Sequence, residues 1–384
     1  MYNFIFQNPV KVIFGKGTIA QITPNIPAQS KILMTYGGGS IMKNGVYDQV
    51  KAALKGYDVT EFGGIEPNPR YETCMKAVEI CREKKIDFLL AVGGGSVLDG
   101  TKFIAAAFYH TEGDPWEILT QGKPVSKALP IGAVMTLPAT GSEMNGNAVI
   151  SRNSTQEKLA FYSPAVYPQF CVLDPETTFT LPDRQTRNGI VDSFIHVCEQ
   201  YMTFPVNAPL QDRQSEGIFH TLIEEGPKVL KNPTDYEARA NIMWAATNAL
   251  NHYIACGVPQ DWATHGIGHE LTALHGMDHA QTLACVVLGL FKHQKKSKLA
   301  KLAQYGRRIW GLSGDNDDAI ADQAICKTEE FFRSLGMKTH LNEYGVGDEN
   351  FEEIGSRFER RGIKIGEHAN LGKKEVIEIL RLCL

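Results

Sequence analysis

The first 173 residues of the chain alternate short apolar runs with longer stretches of helical spacing. The apolar runs predict buried strands at 31–36, 59–62, 88–92 and 131–137. The segments between them have helical composition and spacing, at 42–54, 70–84 and 97–109. A strand–helix alternation of this kind predicts βαβ units in a largely parallel sheet. A more irregular β-rich section follows at 147–173.

The pattern changes at 174–182, where prolines and threonines indicate a loop. Beyond this loop strand patterns nearly vanish, and helices are predicted at 183–201, 210–230, 236–255, 262–274 and 281–293, with more to the C-terminus. The polar stretch 313–318 is predicted to be a solvated loop. A chain of 384 residues is too long for one ordinary core. We therefore predict an α/β domain over 1–180 and an all-helical domain over 181–384.

Composition and charge narrow the classes of partner. The apolar content of 43% and charged content of 21% are globular values. The formal net charge is only −4 and no long basic block occurs, so nucleic acid and anionic membranes are not expected partners. The apolar run 283–291 is too short to span a bilayer, and the first residues do not resemble a secretory signal. Eight scattered cysteines without a C-x-x-C predict reduced thiols and a cytoplasmic protein.

The sequence Gly-Gly-Gly-Ser occurs twice, at 37–40 and 93–96, each time directly after a predicted strand. Glycines let the backbone approach a phosphate, and the N-terminus of the following helix attracts an anion. Both copies are therefore candidate phosphate turns, with an ordinary structural turn as the alternative; the G-x-G-x-x-G fingerprint is absent. Lys102 lies one turn after the second copy and is expected to face solvent.

The first copy bears on the choice of cofactor. A carboxylate at this place would bind the ribose 2′-hydroxyl of NAD, but glycines and Ser40 stand there, followed by Lys43. An acid-free loop of this kind favours NADP. A third segment, TLPATGSEMN at 136–145, is rich in hydroxyl groups and is either a cofactor loop or simply a polar loop.

Four of the eleven histidines fall within HGIGHELTALHGMDH, at 265–279. Asp192 and His196 lie four residues apart and so share one face of a predicted helix. His265 and His279 are predicted to complete a metal site with them, although a lone buried histidine is more often a packing residue. One carboxylate and three imidazoles without a thiolate suit a borderline ion such as Fe²⁺ or Zn²⁺.

Together these motifs resemble the iron-containing, or group III metal-dependent, alcohol dehydrogenases. The resemblance spans the chain and is carried by GGGSVLDGTK, PATGSEMN, IVD before His196, and HGIGHELTALHGMDHAQTLA. TYGGGSI and VLDPETTFTLP make the chain most similar to the NADPH-dependent aldehyde reductases, also called butanol dehydrogenases. One departure is LPATGSE, where many members have TTAGTGSE.

The resemblance implies a Rossmann-like N-terminal domain, an all-α C-terminal domain and a cleft holding cofactor and metal, the architecture of dehydroquinate synthase. It implies a homodimer that binds NADP(H) and one divalent ion. The metal ligands it implies are Asp192, His196, His265 and His279, while His269 stands near the nicotinamide and substrate as the candidate catalytic residue and His275 matches no ligand. The implied cofactor contacts are Gly37, Gly38, Ser40, Gly94, Gly95, Ser96, Asp99, Thr136, Thr140, Asn145 and Lys158.

The expected reaction is hydride transfer between NADPH and a short- to medium-chain aldehyde, with the ion polarising the carbonyl and His269 relaying a proton. Three alternatives stay open: an NAD-dependent glycerol or diol dehydrogenase, a dehydroquinate-synthase-like lyase, and a non-enzymatic metal or nucleotide sensor. The lyase needs several basic residues for a phosphorylated substrate, and the segments around Asp192 and His265 are poor in Lys and Arg.

Overall fold

The computed structural model describes all residues, 1–384. The strands are β1 Lys11–Phe14, β2 Lys31–Tyr36, β3 Asp58–Phe62, β4 Phe88–Gly94, β5 Ile131–Leu137, β6 Asn147–Arg152, β7 Glu157–Tyr162 and β8 Phe170–Leu173. The helices are α1 Val46–Ala53, α2 Tyr71–Lys84, α3 Gly95–Tyr109, α4 Glu117–Thr120, α5 Asp183–Tyr201, α6 Pro209–Lys231, α7 Tyr236–Ala249, α8 Ala263–His275, α9 His279–Gln294, α10 Leu299–Ile309, α11 Asp317–Ser334, α12 Phe351–Arg360 and α13 Lys373–Arg381.

The chain forms two compact units. The sheet unit contains Gln7–Pro182 and Asn232–Asn251, and the helical unit contains Met1–Phe6, Asp183–Lys231 and His252–Leu384. The domain division near residue 180 stays a prediction, and the compact units differ from it at the N-terminus and at α7. The helix predicted at 236–255 ends at Ala249, and His252 and Gly257 then take positive φ values of 68° and 71°.

The sheet unit is built on six parallel strands in the order β1-β8-β5-β4-β2-β3. Alternate residues of each central strand enter two separate cores: Leu89 and Ala91 pack on one face, and Leu90 and Val92 on the other. Because both faces are covered, the strands are almost continuously apolar. The β-rich section after β5 contains the antiparallel pair β6–β7 and then β8, which returns to the sheet.

The helical unit is built around α5, which is buried over most of its length. Phe194 of this helix packs against Phe219 and Phe332, with ring centroids 4.6 and 5.4 Å apart. Gly276 ends α8 in a left-handed conformation, and Asp278 caps the start of α9. The parallel sheet and the helical second half confirm the predicted fold class. No helix combines the length and apolar character needed to cross a membrane.

Candidate functional site

The candidate metal site lies in the helical unit and begins on α5. Asp192 and His196 are one helical turn apart and are buried, with side chains 5% and 4% exposed. His265 lies near the start of α8, and His279 is the first residue of α9. The turn around Gly276 is what brings these two histidines back together, because it reverses the chain between them.

The donor atoms are spaced as ligands of one ion. Oδ1 of Asp192 lies 3.7 Å from Nε2 of each of His196, His265 and His279. That distance is too long for a hydrogen bond but close to the about 3.4 Å expected between ligands of a tetrahedral ion with bonds of about 2.1 Å. The donor atoms of Asp192, His265 and His279 all lie within 4.8 Å of one another. The residues present therefore fit a divalent cation.

The fourth predicted ligand, His196, lies beside this group of three. Its ring stacks on that of His265 with centroids 4.8 Å apart and planes at 15°. Trp262 borders both rings, at 6.3 Å from His196 and 5.5 Å from His265. Its φ of 58° is unusual for a bulky residue, so the surrounding structure holds a strained backbone next to the donor cluster.

The Glu199 carboxylate holds His265 by two hydrogen bonds. Nδ1 of His265 donates to Oε2 of Glu199, and the backbone N–H of His265 donates to Oε1 at 3.1 Å. Burial would lower the pKa of His265, but Glu199 and Asp192 outweigh it and raise that pKa to about 9. The sequence analysis missed Glu199, although its spacing from Asp192 and His196 is helical.

Polar contacts from α5 also hold the start of α9. Asp278, next to His279, accepts from Arg184 Nε at 2.7 Å and from Asn188 Nδ2 at 3.0 Å. His269 stands one turn after His265, with its ring 5.3 Å from that of His279. His275 is the last residue of α8; burial lowers its pKa against the opposing effect of Glu349.

The two glycine turns lie side by side in the sheet unit, because β2 and β4 are paired neighbours. A Cβ on Gly37 would lie 3.6 Å from Val97, which follows the other turn. A Cβ on Gly95 would lie 2.4 Å from the Thr140 side chain. The 136–145 segment therefore closes directly on the second turn. We call these three segments, 37–40, 93–99 and 136–145, the glycine cradle.

The prediction that Lys102 faces solvent is wrong. Its side chain is fully buried, and Nζ donates to the Ser142, Asn145 and Asn147 carbonyl oxygens at 2.6, 2.8 and 2.9 Å. It also donates to Ser142 Oγ and Asn145 Oδ1. Burial lowers the pKa of Lys102 to about 8, opposed by Asp99 and Glu143. An isolated position on a helix wheel could not reveal this contact, because the acceptors come from a loop forty residues away.

Two of the predicted cofactor residues are engaged inside the cradle. Asp99 accepts from Ser142 Oγ at 2.7 Å and from the Val149 N–H at 3.0 Å, and burial raises its pKa. Asn145 is 1% exposed, and its Nδ2 donates to carbonyl oxygens of Gly141 and Leu250. Their direct contact with a cofactor stays a prediction.

The remaining predicted cofactor residues lie around the same edge. Lys158 donates to Asn68 Oδ1 at 2.8 Å, and the N–H of Asn68 donates to Ser96 Oγ at 3.3 Å. Asn68 therefore links two predicted contacts, and its only signal in the sequence is the Asn-Pro pair at 68–69. Thr136 is buried at the end of β5, whereas Gly38 and Ser40 are exposed after β2.

Known proteins resemble this chain over its whole length. It is 56% identical over 374 residues to the NADPH-dependent aldehyde reductase YqhD of Escherichia coli, covering 97% of both chains. A crystal structure of YqhD from E. coli K-12 superposes with a TM-score of 0.98, covering 100% of this chain and 99% of that one. The NADP-dependent alcohol dehydrogenase 3 of Entamoeba histolytica is 44% identical, covering 99% of this chain and 98% of its own.

A third relative is the NADH-dependent butanol dehydrogenase A of Thermotoga maritima. Its structure has a TM-score of 0.96 and 37% identity, covering 100% of this chain and 99% of that one. The family model for iron-containing alcohol dehydrogenase matches residues 9–175, and the C-terminal model of the Fe-containing alcohol dehydrogenase family matches 186–384. The chain therefore belongs to the iron-containing alcohol dehydrogenase family, which confirms the family and the enzyme class that its motifs predicted.

Proposed function

We propose that this protein is a metal-dependent, NADP(H)-dependent aldehyde reductase acting on short- to medium-chain aldehydes. The reaction is RCHO + NADPH + H⁺ ⇌ RCH₂OH + NADP⁺. The observation that carries the proposal is the convergence of three imidazoles on Asp192, each 3.7 Å from its Oδ1. The relatives named for NADPH-dependent aldehyde reduction and NADP-dependent alcohol dehydrogenation support the substrate class and the cofactor.

The residues of the helical unit hold the ion and handle the proton. Asp192, His196, His265 and His279 are the proposed ligands, and an ion held there supplies Lewis-acid polarisation of the aldehyde carbonyl. His279 is the most exposed of the four at 24%, so the open side of the cluster lies towards it. His269, whose ring neighbours that of His279, is placed to pass a proton to the oxygen of the reduced substrate.

The glycine cradle binds the cofactor in this proposal. Backbone N–H groups at the start of α3 favour the pyrophosphate, because they carry no intrahelical partner and lie at the positive end of the helix dipole. The acid-free turn 37–40 receives the 2′-phosphate. The Thermotoga relative is named as NADH-dependent. The preference for NADPH over NADH is therefore measured directly in the assay below.

A single assay tests the proposal. The chain is stripped of metal, reloaded with Fe²⁺ or Zn²⁺, and mixed with butyraldehyde and either NADPH or NADH while absorbance at the reduced nicotinamide is followed. We expect oxidation that depends on the ion and is faster with NADPH. Faster oxidation of NADH with glycerol or a diol as the better substrate would favour the diol dehydrogenase instead. No ion-dependent turnover with any aldehyde or ketone would favour the sensor or the lyase.

We also propose that the enzyme is a homodimer in the cytoplasm. The eight cysteines, all free and seven of them buried, support a reducing compartment. Light scattering after gel filtration tests the oligomeric state, and a mass of one chain would contradict it.

A further inference from the structure

One face of α5 carries a line of polar residues that lie at the metal site or contact Asp278 beside it. Arg184, Asn188, Asp192 and His196 follow one another at intervals of four, and Glu199 continues the line one turn later. The first two hold Asp278 at the start of α9, and the next two are proposed ligands. Glu199 is the one member of the line that is neither a proposed ligand nor a partner of Asp278.

Glu199 is buried in a way that needs a reason. Its side chain is 2% exposed, and burying a carboxylate is costly unless hydrogen bonds compensate for the lost water. Both of its oxygens are used by one residue: Oε2 accepts from Nδ1 of His265, and Oε1 accepts from the backbone N–H of the same residue. A two-point contact of this kind fixes both the ring and the backbone of His265.

The contact with Glu199 determines the state of the other ring nitrogen of His265, Nε2. When Nδ1 carries the hydrogen that Glu199 accepts, the lone pair of the neutral ring lies on Nε2, which is the atom 3.7 Å from Asp192 Oδ1. A ligating histidine held by a carboxylate in this way is oriented before the ion arrives, and loss of such a partner typically weakens metal binding by about 10- to 100-fold.

We propose that Glu199 is a positioning residue that selects the Nδ1–H tautomer of His265 and aims its Nε2 at the ion. The proposal rests on the metal site of the proposed function. It assigns α5 two tasks: the helix supplies two ligands, and it orients a third ligand that belongs to α8.

The test is the affinity of the full-length, metal-stripped chain for Zn²⁺, measured by competition with a chromophoric chelator. For Glu199→Ala we expect binding weaker by about 10- to 100-fold. Glu199→Met fills the same volume without an acceptor and should lose as much, which keeps the test valid if the alanine variant does not fold. Glu199→Gln retains an oxygen for Nδ1–H and should recover most of the affinity.

The matched control is Glu270→Gln. Glu270 is also a nearly buried carboxylate of the helical unit, but its oxygens accept from Arg357 and Arg361 and not from the histidines. We expect this variant to lower thermal stability and to leave Zn²⁺ affinity within about twofold of the wild type.

Three results would overturn the proposal. Zn²⁺ affinity unchanged within twofold in the alanine or methionine variant would show that His265 needs no help from Glu199. A glutamine variant as weak as the alanine variant would show that acceptance of the Nδ1 hydrogen is not the cause. A wild-type chain that binds no Zn²⁺ in the same titration would overturn the metal site itself, and this role with it.

Discussion

In the helical unit, the candidate metal site is made by side chains, whereas in the sheet unit the glycine cradle is made largely by backbone. The metal cluster uses residue types whose chemistry is explicit, one aspartate and three histidines converging within a few ångströms. The two turns of the cradle use glycines, which lack side chains, and their shape depends on what packs against them, such as Thr140 over Gly95.

The two regions also differ in how charge is buried. At the metal cluster two buried acidic side chains, Asp192 and Glu199, both face His265. In the cradle the protein supplies its own buried cation, Lys102, beside Asp99 and Glu143. The metal site is completed by the ion that its ligands bind. The glycine cradle is stabilised before any cofactor binds, by the buried Lys102.

The largest expected effect comes from removing a ligand. His265→Ala should lose the ion and lower kcat/KM for butyraldehyde by about 1,000-fold or more, because Lewis-acid stabilisation contributes several kcal/mol. NADPH affinity, measured by quenching of its fluorescence or by calorimetry, should stay within about threefold if the two regions are independent. Metal analysis and turnover are measured on the same preparation.

His275→Ala is the matched control for this variant. His275 lies on the same helix, but matches no ligand and is not among the clustered donors. Metal content and turnover should remain close to wild type. A metal-free His265→Ala enzyme with full turnover would remove the basis of the proposed mechanism.

Much of the fold followed from apolar patterning. The strands at 31–36 and 131–137 and the helix at 183–201 agree with the structure to the residue, because a glycine or a proline stands at a boundary of each segment. The helix predicted at 236–255 ran six residues too long, since residues 250–255 keep a helical composition although the helix ends at Ala249. Its packing with the sheet unit is a long-range property that local pattern does not contain.

The candidate site divides in the same way. The four proposed ligands could be selected from the sequence because histidine and aspartate are common metal-binding residue types and because helical spacing relates Asp192 to His196. Glu199 and Lys102 were not, since a glutamate or lysine in a helix is normally solvated. What the sequence lacks is the identity of the partner that each side chain meets after folding.

The second-largest expected effect comes from removing Lys102, the buried lysine of the glycine cradle. Lys102→Met removes five hydrogen bonds and leaves Asp99 and Glu143 without their buried cation. Loss of a buried charge partner costs about 3–5 kcal/mol, so the chemical denaturation midpoint should fall markedly. NADPH binding should weaken with it, because the 136–145 segment loses its anchor, while Zn²⁺ affinity of the folded fraction should not change.

Lys55→Met serves as the control, since Lys55 is an exposed lysine of the same unit. Its stability should change by no more than about 0.5 kcal/mol. Equal stability of the Lys102 and Lys55 variants would mean that the buried ammonium does not organise the loop.

The third prediction concerns the backbone of the cradle. A Cβ added in Gly95→Ala would lie 2.4 Å from Thr140, so the loop or the turn must move. Overpacking of this kind costs about 1–3 kcal/mol, equivalent to about 5- to 150-fold in NADPH affinity if the shift falls on the cradle. Gly217→Ala is the control, because it lies in α6 with open space around it and should leave NADPH affinity unchanged. Wild-type NADPH affinity in Gly95→Ala would show that the close contact is not functional.

The smallest expected effect comes from adding a charged side chain to the first glycine turn of the cradle. Gly38 is exposed, has no atom within 4 Å of an added Cβ, and follows β2, so Gly38→Asp should fold normally. A carboxylate there would repel a 2′-phosphate and could accept from a 2′-hydroxyl, so the ratio of kcat/KM for NADPH to that for NADH should fall by about tenfold. Gly38→Ala separates charge from bulk and should leave the ratio unchanged. If the aspartate variant keeps the wild-type ratio, the turn 37–40 does not face the 2′-position, and the preference between the two cofactors must come from another part of the cradle.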